Sequence, residues 1–598
     1  MRADEYSEER VTSDGLAIPI GRRHLHDASA GEPGARAVAE VNTVIDAFVA
    51  NHYAFHPHRA IWDGRHALDG RIPDFSASAI AERIAALERW RARLRALRPR
   101  AGFNPAHQDA GPSFETTALR SQVARDLAMA EHACAEELFR WREWRQHERN
   151  PGFYHGILDV SIYVKRPYAP AADRLEALTR HLRGVPAVLA AARANLRESA
   201  SRPTLEQSVF AFRELADYYR NQLRAAGAAM APTPARQQAF HEAIGIASGA
   251  VQEFVASLRE RLGQATGNFR VGPAALAAML HHGELVDLPL ERLRAVGLDD
   301  LELNQARASE IAGRHGLTPL EAFDRLTQDR YQAHEVLTTA TRVVAELRAV
   351  LAESGMVAMP DAALCHVVAT PSFMRAGAAF MDAPGPFETP GQPAYFYITL
   401  PDPDWPATVQ ADWLAKLNPW GLRNTAAHET YPGHLLHFLR VGRHPADVAR
   451  AFTSYACVEG WAHYAEQLIL EAGYGAGDDW AELAQVGMAV LRDCRYLATL
   501  DLHAGSTTIP EAAAFIEART HLAPIRCQQE AARCAQDPGS LYYALGKLMV
   551  LKLRADYQRE AGTEYSPRRF HDALLACGAP PVPLARRMLL RDPTGDPV

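Results

Sequence analysis

The stretch best equipped for chemistry is Asn424-Thr-Ala-Ala-His428-Glu429-Thr-Tyr-Pro-Gly-His434-Leu-Leu-His437, which sets two imidazoles and an acid close together. Zinc is satisfied by imidazole nitrogens and a carboxylate with one position left for water, and a neighbouring glutamate can take that water's proton during attack on a carbonyl. In the familiar H-E-x-x-H helix the two histidines are at i and i+4, about 40 degrees apart around the axis. Here the second is at i+6, about 240 degrees away on an ideal helix. His428 and His434 can therefore share a metal only if the helix is deformed between them. Pro432-Gly433 lies in that interval and names a cause, a lost ladder bond and unusual dihedrals. A helix that simply stops at Tyr431-Pro432, with unrelated histidines on either side, is the competing reading.

A second cluster favours the metal. Val458-Glu459-Gly-Trp-Ala-His463-Tyr-Ala-Glu466 is on a strongly periodic apolar segment, with Glu459 and His463 on one helix face. Glu459 is the candidate third ligand. His463 and Glu466 are either partners that orient a ligand or ordinary helix residues. His437 could replace His434 as a ligand, but its position suits the flank of the site better.

These two motifs resemble those of the bacterial family known as domain of unknown function 885, whose members share H-E-x-x-P-G-H and, downstream, E-G-W-A-x-Y-A-E. Both are matched, by His428 to His434 and by Glu459 to Glu466. Weaker matches run through most of the chain, among them Phe55-His-Pro, Gly70 to Phe75, Asn150-Pro151 and Phe269 to Gly272. The family in turn resembles the glutamate-type zinc metallopeptidases with helical bodies. That likeness implies a large two-lobed, zincin-like body, a deep groove with one Zn2+ per chain at its floor, and a sheet edge that pairs with extended peptide.

Under this resemblance His428, His434 and Glu459 hold the metal and Glu429 is the catalytic base. Tyr543 or His503 stabilises the oxyanion, and Arg495 clamps a substrate carboxylate. The strand Tyr395 to Leu400, with Tyr397, takes the peptide by β-addition. An aspartate usual for the family at position 499 is Thr499 here, with Asp501 as a possible substitute. The expected activity is zinc-dependent hydrolysis of short peptides or peptide-like amides. The alternatives are a peptide-binding or scaffold protein without catalysis, and a biosynthetic amide or ester hydrolase.

The elements that must position these residues are mainly helical. Apolar periodicity predicts helices at Ala35 to Asn51, Ala77 to Leu97, Thr117 to Glu148, Ala171 to Glu198, Thr204 to Ala226, Thr233 to Leu262, Thr318 to Glu353 and Trp480 to Leu502. Only Cys365 to Thr370 and Pro393 to Leu400, both β-branched and aromatic, read as strands, so a small sheet is expected near the site. Residues 1–35 form a polar lead, 36–381 a helical N-terminal lobe and 382–598 the catalytic lobe, with the boundary set at the Gly/Pro-rich stretch from Asp382.

The 598 residues are 48% hydrophobic and 23% charged, which permits a large core and excludes disorder. A net charge of -7 supplies no basic field for nucleic acid, and no run of apolar residues is long enough to span a membrane. Seven cysteines without a C-x-x-C pair suit a reducing compartment. With no apolar segment in a signal-like position near Met1, the expected location is cytoplasmic.

Overall fold

A computed structural model describes residues 33–101, 121–196, 201–265, 268–360, 364–371, 374–375 and 377–598. The fold is mainly α. In the N-terminal half run helices α1 (Pro33–Phe55), α2 (Ala77–Arg95), α3 (Gln122–Phe139), α4 (Ala171–Asn195), α5 (Arg202–Tyr218) and α6 (Pro234–Leu262). Then come α7 (Leu290–Arg314), α8 (Pro319–Gln328) and α9 (Val336–Ser354), a small sheet, and the helices that carry the motifs. Those are α10 (Pro419–Glu429), α11 (His434–Gly442), α12 (Tyr455–Glu471), α13 (Asp479–Ala504), α14 (Pro524–Gln536) and α15 (Tyr542–Ala561).

The periodic segments became helices, with informative departures. The stretch Thr318 to Glu353 is two helices, because the chain leaves α8 at Asp329 and re-enters helix at Val336. The stretch Thr117 to Glu148 ends α3 at Phe139 and widens into a π turn at Arg140–Trp144, closed by Arg145 at φ 48°. Residues 1–32 of the polar lead, the first residues of that segment (117–120) and Arg197-Glu198 lie outside the described residues, and the last three residues of the lead already belong to α1.

The sheet has three strands, β1 (Cys365–Ala369), β2 (Ala379–Asp382) and β3 (Ala394–Ile398), in the order β1-β3-β2. β3 pairs in parallel with β1, Val368 opposite Tyr397, and antiparallel with β2, Phe380 opposite Tyr397. This corrects the expected β-addition at Tyr395 to Leu400. A middle strand has its N–H and C=O groups engaged on both sides, and the outer edges belong to β1 and β2. β2 escaped the sequence because its four residues carry no alternation to read.

Buried apolar side chains form two clusters. One spans Val41 to Leu258 and recruits Val448, Ala449 and Leu584 from far along the chain. The other joins Leu276 to Val357 with the strand residues Phe396 and Ile398 and with Leu422, Leu435, Trp461 and Tyr496 from the motif-bearing helices. Residues on both sides of position 382 thus share one core. No described helix is long and apolar enough to cross a membrane. Six cysteines are buried, Cys365 is half-buried, and none is in a disulfide.

Candidate metal centre

α10 starts with Asn418 accepting from the N–H groups of Trp420 and Gly421, followed by Pro419, which has no N–H to leave unsatisfied. It ends at Glu429, and α11 starts at His434 after a cis Tyr431-Pro432 bond. Thr430 N–H still bonds Ala426 O, the normal i→i−4 step. Beyond it, Gly433 N–H bonds Ala427 O at 3.0 Å and Leu436 N–H bonds Thr430 O at 3.2 Å, both i→i−6, before His437 N–H returns to Gly433 O. Two residues are looped out of the ladder. His434 stands to His428 as Gly433 stands to Ala427, so it occupies the angular place that i+4 holds in an unbroken helix. The 240-degree problem disappears, and a helix end at Pro432 coexists with two cooperating histidines. Trp461 holds the looped residues by donating its indole N–H to Pro432 O at 2.9 Å.

Glu459 comes from α12, whose N-terminus is capped by Ser454. α12 crosses α15 at a pair of glycines. A Cβ at Gly460 would stand 2.3 Å from the Gly546 carbonyl carbon, and one at Gly546 2.0 Å from Ala456 O. Only hydrogen fits at either position, which explains the Gly after Glu459 in the second motif and the Gly that meets it on α15.

His428 Nε2 and His434 Nε2 lie 3.6 and 3.5 Å from the same Glu459 Oε2, with the two rings near perpendicular at 84°. Two donors bound tetrahedrally at about 2.05 Å stand roughly 3.4 Å apart. The separations are thus right for a shared ion and long for direct hydrogen bonds. Glu459 Oε2 and His434 Nδ1 are buried with no hydrogen-bond partner. Burial pushes His428 towards the neutral form, yet Glu459 and Glu466 outweigh it and raise its pKa to about 9. Burial likewise opposes the charge on Glu459, and His434 and His428 overcome it, holding that carboxyl well below its usual range. The pocket favours positive charge between its donors.

A second group of like composition, His52, His56 and Glu137, provides a contrast. There both imidazoles bond Glu137 directly at 2.9 Å, and the Arg83 fork occupies the same two oxygens at 2.8 and 2.7 Å. Both Glu137 oxygens are thus already engaged by imidazole and guanidinium, which holds this group together as a directly hydrogen-bonded buried network, although His52 Nε2 is left without a partner.

Behind the first group sits Glu466, fully buried. It accepts from Asn424 Nδ2 at 2.9 Å and from Arg492 at 3.1 and 2.7 Å, and meets His428 Nδ1 at 2.8 Å. Burial opposes its charge, but Arg492 and His463 keep the carboxyl well below the ordinary range. Ionised, it fixes His428 with Nδ1 protonated and Nε2 free for a ligand bond. His463 Nδ1 is 3.6 Å from Glu466 Oε2, and burial lowers the ring's pKa. Asn424 and Arg492 were missed as members of this network. The signal was Asn424 one turn before His428, on the same face.

Glu429 is buried on the last turn of α10, next to His428. Tyr543 is brought near Glu459, which together with burial raises the phenol's pKa. Its hydroxyl accepts from Arg533 Nη2 at 3.1 Å and lies 3.3 Å from the Tyr455 hydroxyl. Six other residues are engaged elsewhere. His437 bonds Gly578 O at 3.2 Å. His503 Nε2 bonds Cys534 O at 2.9 Å, about 16 Å along α13 from Arg492 at helical rise. Asp501 pairs with Arg294, and Thr499 bonds back to Arg495 O, so no carboxylate replaces the family aspartate there. Arg495 is paired with Glu530 at 2.7 Å. Tyr397 stacks between Phe380 and Tyr395, and burial raises its pKa to about 12.

The class defined is therefore a mainly helical protein with a buried two-histidine, one-glutamate centre split across a looped-out helix junction. The family model described as "Bacterial protein of unknown function (DUF885)" matches residues 57–589, and the chain belongs to that family. A comparison with curated proteins finds no match. Two solved structures share the fold. A "putative lipoprotein of unknown function" from Shewanella oneidensis is 19% identical with a TM-score of 0.73, covering 93% of this chain and 99% of that one. A "putative lipoprotein" from Colwellia psychrerythraea is 17% identical with a TM-score of 0.72, covering 92% and 98%.

Proposed function

We propose that this protein is a zinc-dependent, zincin-like hydrolase, most simply a metallopeptidase acting on short peptides or peptide-like amides. The observation that carries the reading is the convergence of His428, His434 and Glu459 at ligand spacing with an acid, Glu429, adjoining one of them. A zinc ion bound there supplies Lewis acidity towards water and the scissile carbonyl. Glu429 takes the proton of the attacking water and returns it to the leaving amine. Glu466 keeps His428 in the ligand tautomer. Tyr543 is the oxyanion donor in preference to His503, because it lies near Glu459 and its oxygen already accepts from Arg533, while His503 is committed to Cys534. Seven cysteines outside any disulfide support a reducing, cytoplasmic setting, and the net charge supports a substrate other than nucleic acid.

Purified protein should carry about one zinc per chain. His434→Ala and Glu459→Ala should lose it, and Glu429→Gln should keep zinc while abolishing peptide turnover. Full zinc occupancy in both ligand variants, or undiminished turnover by Glu429→Gln, would overturn the reading.

A further inference from the structure

Beside the metal centre α14 gathers more positive than negative charge. Arg495, Arg526 and Arg533 all act on one carboxylate, Glu530, and that carboxylate is bonded to Arg495. Arg526 also feels Asp412, and its charge is disfavoured by burial. Arg533 is left as the surplus cation. Its guanidinium is exposed and hydrogen-bonds only the Tyr543 hydroxyl, with no carboxylate at ion-pair distance among the described residues. An unpaired guanidinium at the surface is ordinary. One that shares a hydroxyl with a tyrosine facing the Glu459 ligand is not.

The path between them is built from two helices. Tyr455 precedes Glu459 by one helical turn on the same face of α12, and its hydroxyl reaches that of Tyr543 on α15. Glu459, Tyr455, Tyr543 and Arg533 thus form a continuous strip from half-buried ligand to exposed cation, with the two tyrosine rings at 6.0 Å. Two aromatic rings suit a side chain of a peptide, and a guanidinium fork suits its terminal carboxylate.

We infer that Arg533, not Arg495, is the carboxylate-recognising residue of this site, and that its ligands are short peptides with a free C-terminal carboxylate. Arg495 is buried and its charge is already neutralised by Glu530, whereas Arg533 is exposed and keeps its charge for a ligand. The inference rests on the peptidase reading for its catalytic consequence, though not for the binding itself. Exopeptidase or dipeptidase action follows if the scissile bond lies one or two residues from the anchored end.

The test compares an N-acetylated dipeptide as its free acid and as its amide, by calorimetric binding to the zinc-loaded protein. Wild type should bind the acid on the order of tenfold or more tightly than the amide, as expected for hydrogen bonds to a charged group. Arg533→Gln should bring the two within about threefold, with Arg533→Lys between. Equal binding of acid and amide by wild type, or a preference unchanged in Arg533→Gln, would overturn the inference. Arg533 is exposed, so its variants fold. If Arg533 merely positioned Tyr543, Arg533→Gln would lower kcat and leave the acid-to-amide ratio alone. Turnover of longer peptides is read separately: acid-selective binding without hydrolysis removes the peptidase reading and leaves the anchor standing.

Discussion

Gly433→Ala offers the sharpest test of how the two histidines are brought together. A Cβ at that position would stand 1.8 Å from His428 O and 2.5 Å from Ala427 O, where separations under 3.0 Å are essentially never found. Both obstacles are backbone atoms of α10 and cannot rotate away. Relief requires moving residue 433 by more than an ångström, which opens the Gly433 N–H bond to Ala427 O. The overlap costs roughly 1 to 3 kcal/mol and the hydrogen bond about 1, so the variant should lose about 2 to 4 kcal/mol of stability. His434 is the next residue and moves with it. Ligand distances tolerate only about 0.2 Å, so zinc affinity should fall by more than about 100-fold.

The assay is urea unfolding with and without chelator, together with zinc competition against a chromophoric chelator. Gly442→Ala, on the same helix, is the control. Its Cβ would find only ordinary contacts of 3.7 Å with Pro386, so stability should stay within about 1 kcal/mol of wild type. An apo Gly433→Ala protein within about 0.5 kcal/mol of wild type would refute the steric reasoning. Lost stability with zinc affinity kept would show that the looped residues do not place His434.

Two further outcomes are expected. Glu466→Gln removes the carboxylate that Arg492, His428 and Asn424 share, leaving a buried guanidinium underpaired. It should cost about 3 kcal/mol in urea unfolding and weaken zinc 10- to 100-fold by competition. Glu284 bonds Ser454 and the Ala456 N–H at the start of α12, near Glu136 and Arg140, and burial raises its pKa from 4.5 to about 8. An acid that keeps its proton longer folded than unfolded stabilises most below pH 4.5, and that contribution is lost as pH rises towards 8. Wild type should therefore lose up to about 1.4 kcal/mol per pH unit relative to Glu284→Gln between pH 5 and 8, read from paired urea midpoints.

Much of this was legible because helix-forming segments announce themselves by period and metal ligands by residue type. His428, His434 and Glu459 were singled out as candidate ligands on those grounds, and the structure brings the three together. What sequence could not supply was the means. The i+6 spacing showed that a deformation was needed and Pro432-Gly433 that one was available, yet two i→i−6 hydrogen bonds that loop out two residues are a fact of three-dimensional closure. The same limit explains the misplaced residues. His503 and Arg495 looked free because their partners, Cys534 O and Glu530, are 31 and 35 residues away, on another helix. A cation's availability is a property of its neighbours across the fold. For that reason Arg533, unremarked in the sequence, is the stronger carboxylate anchor: the pairing of Arg495 with Glu530 is what leaves it unclaimed.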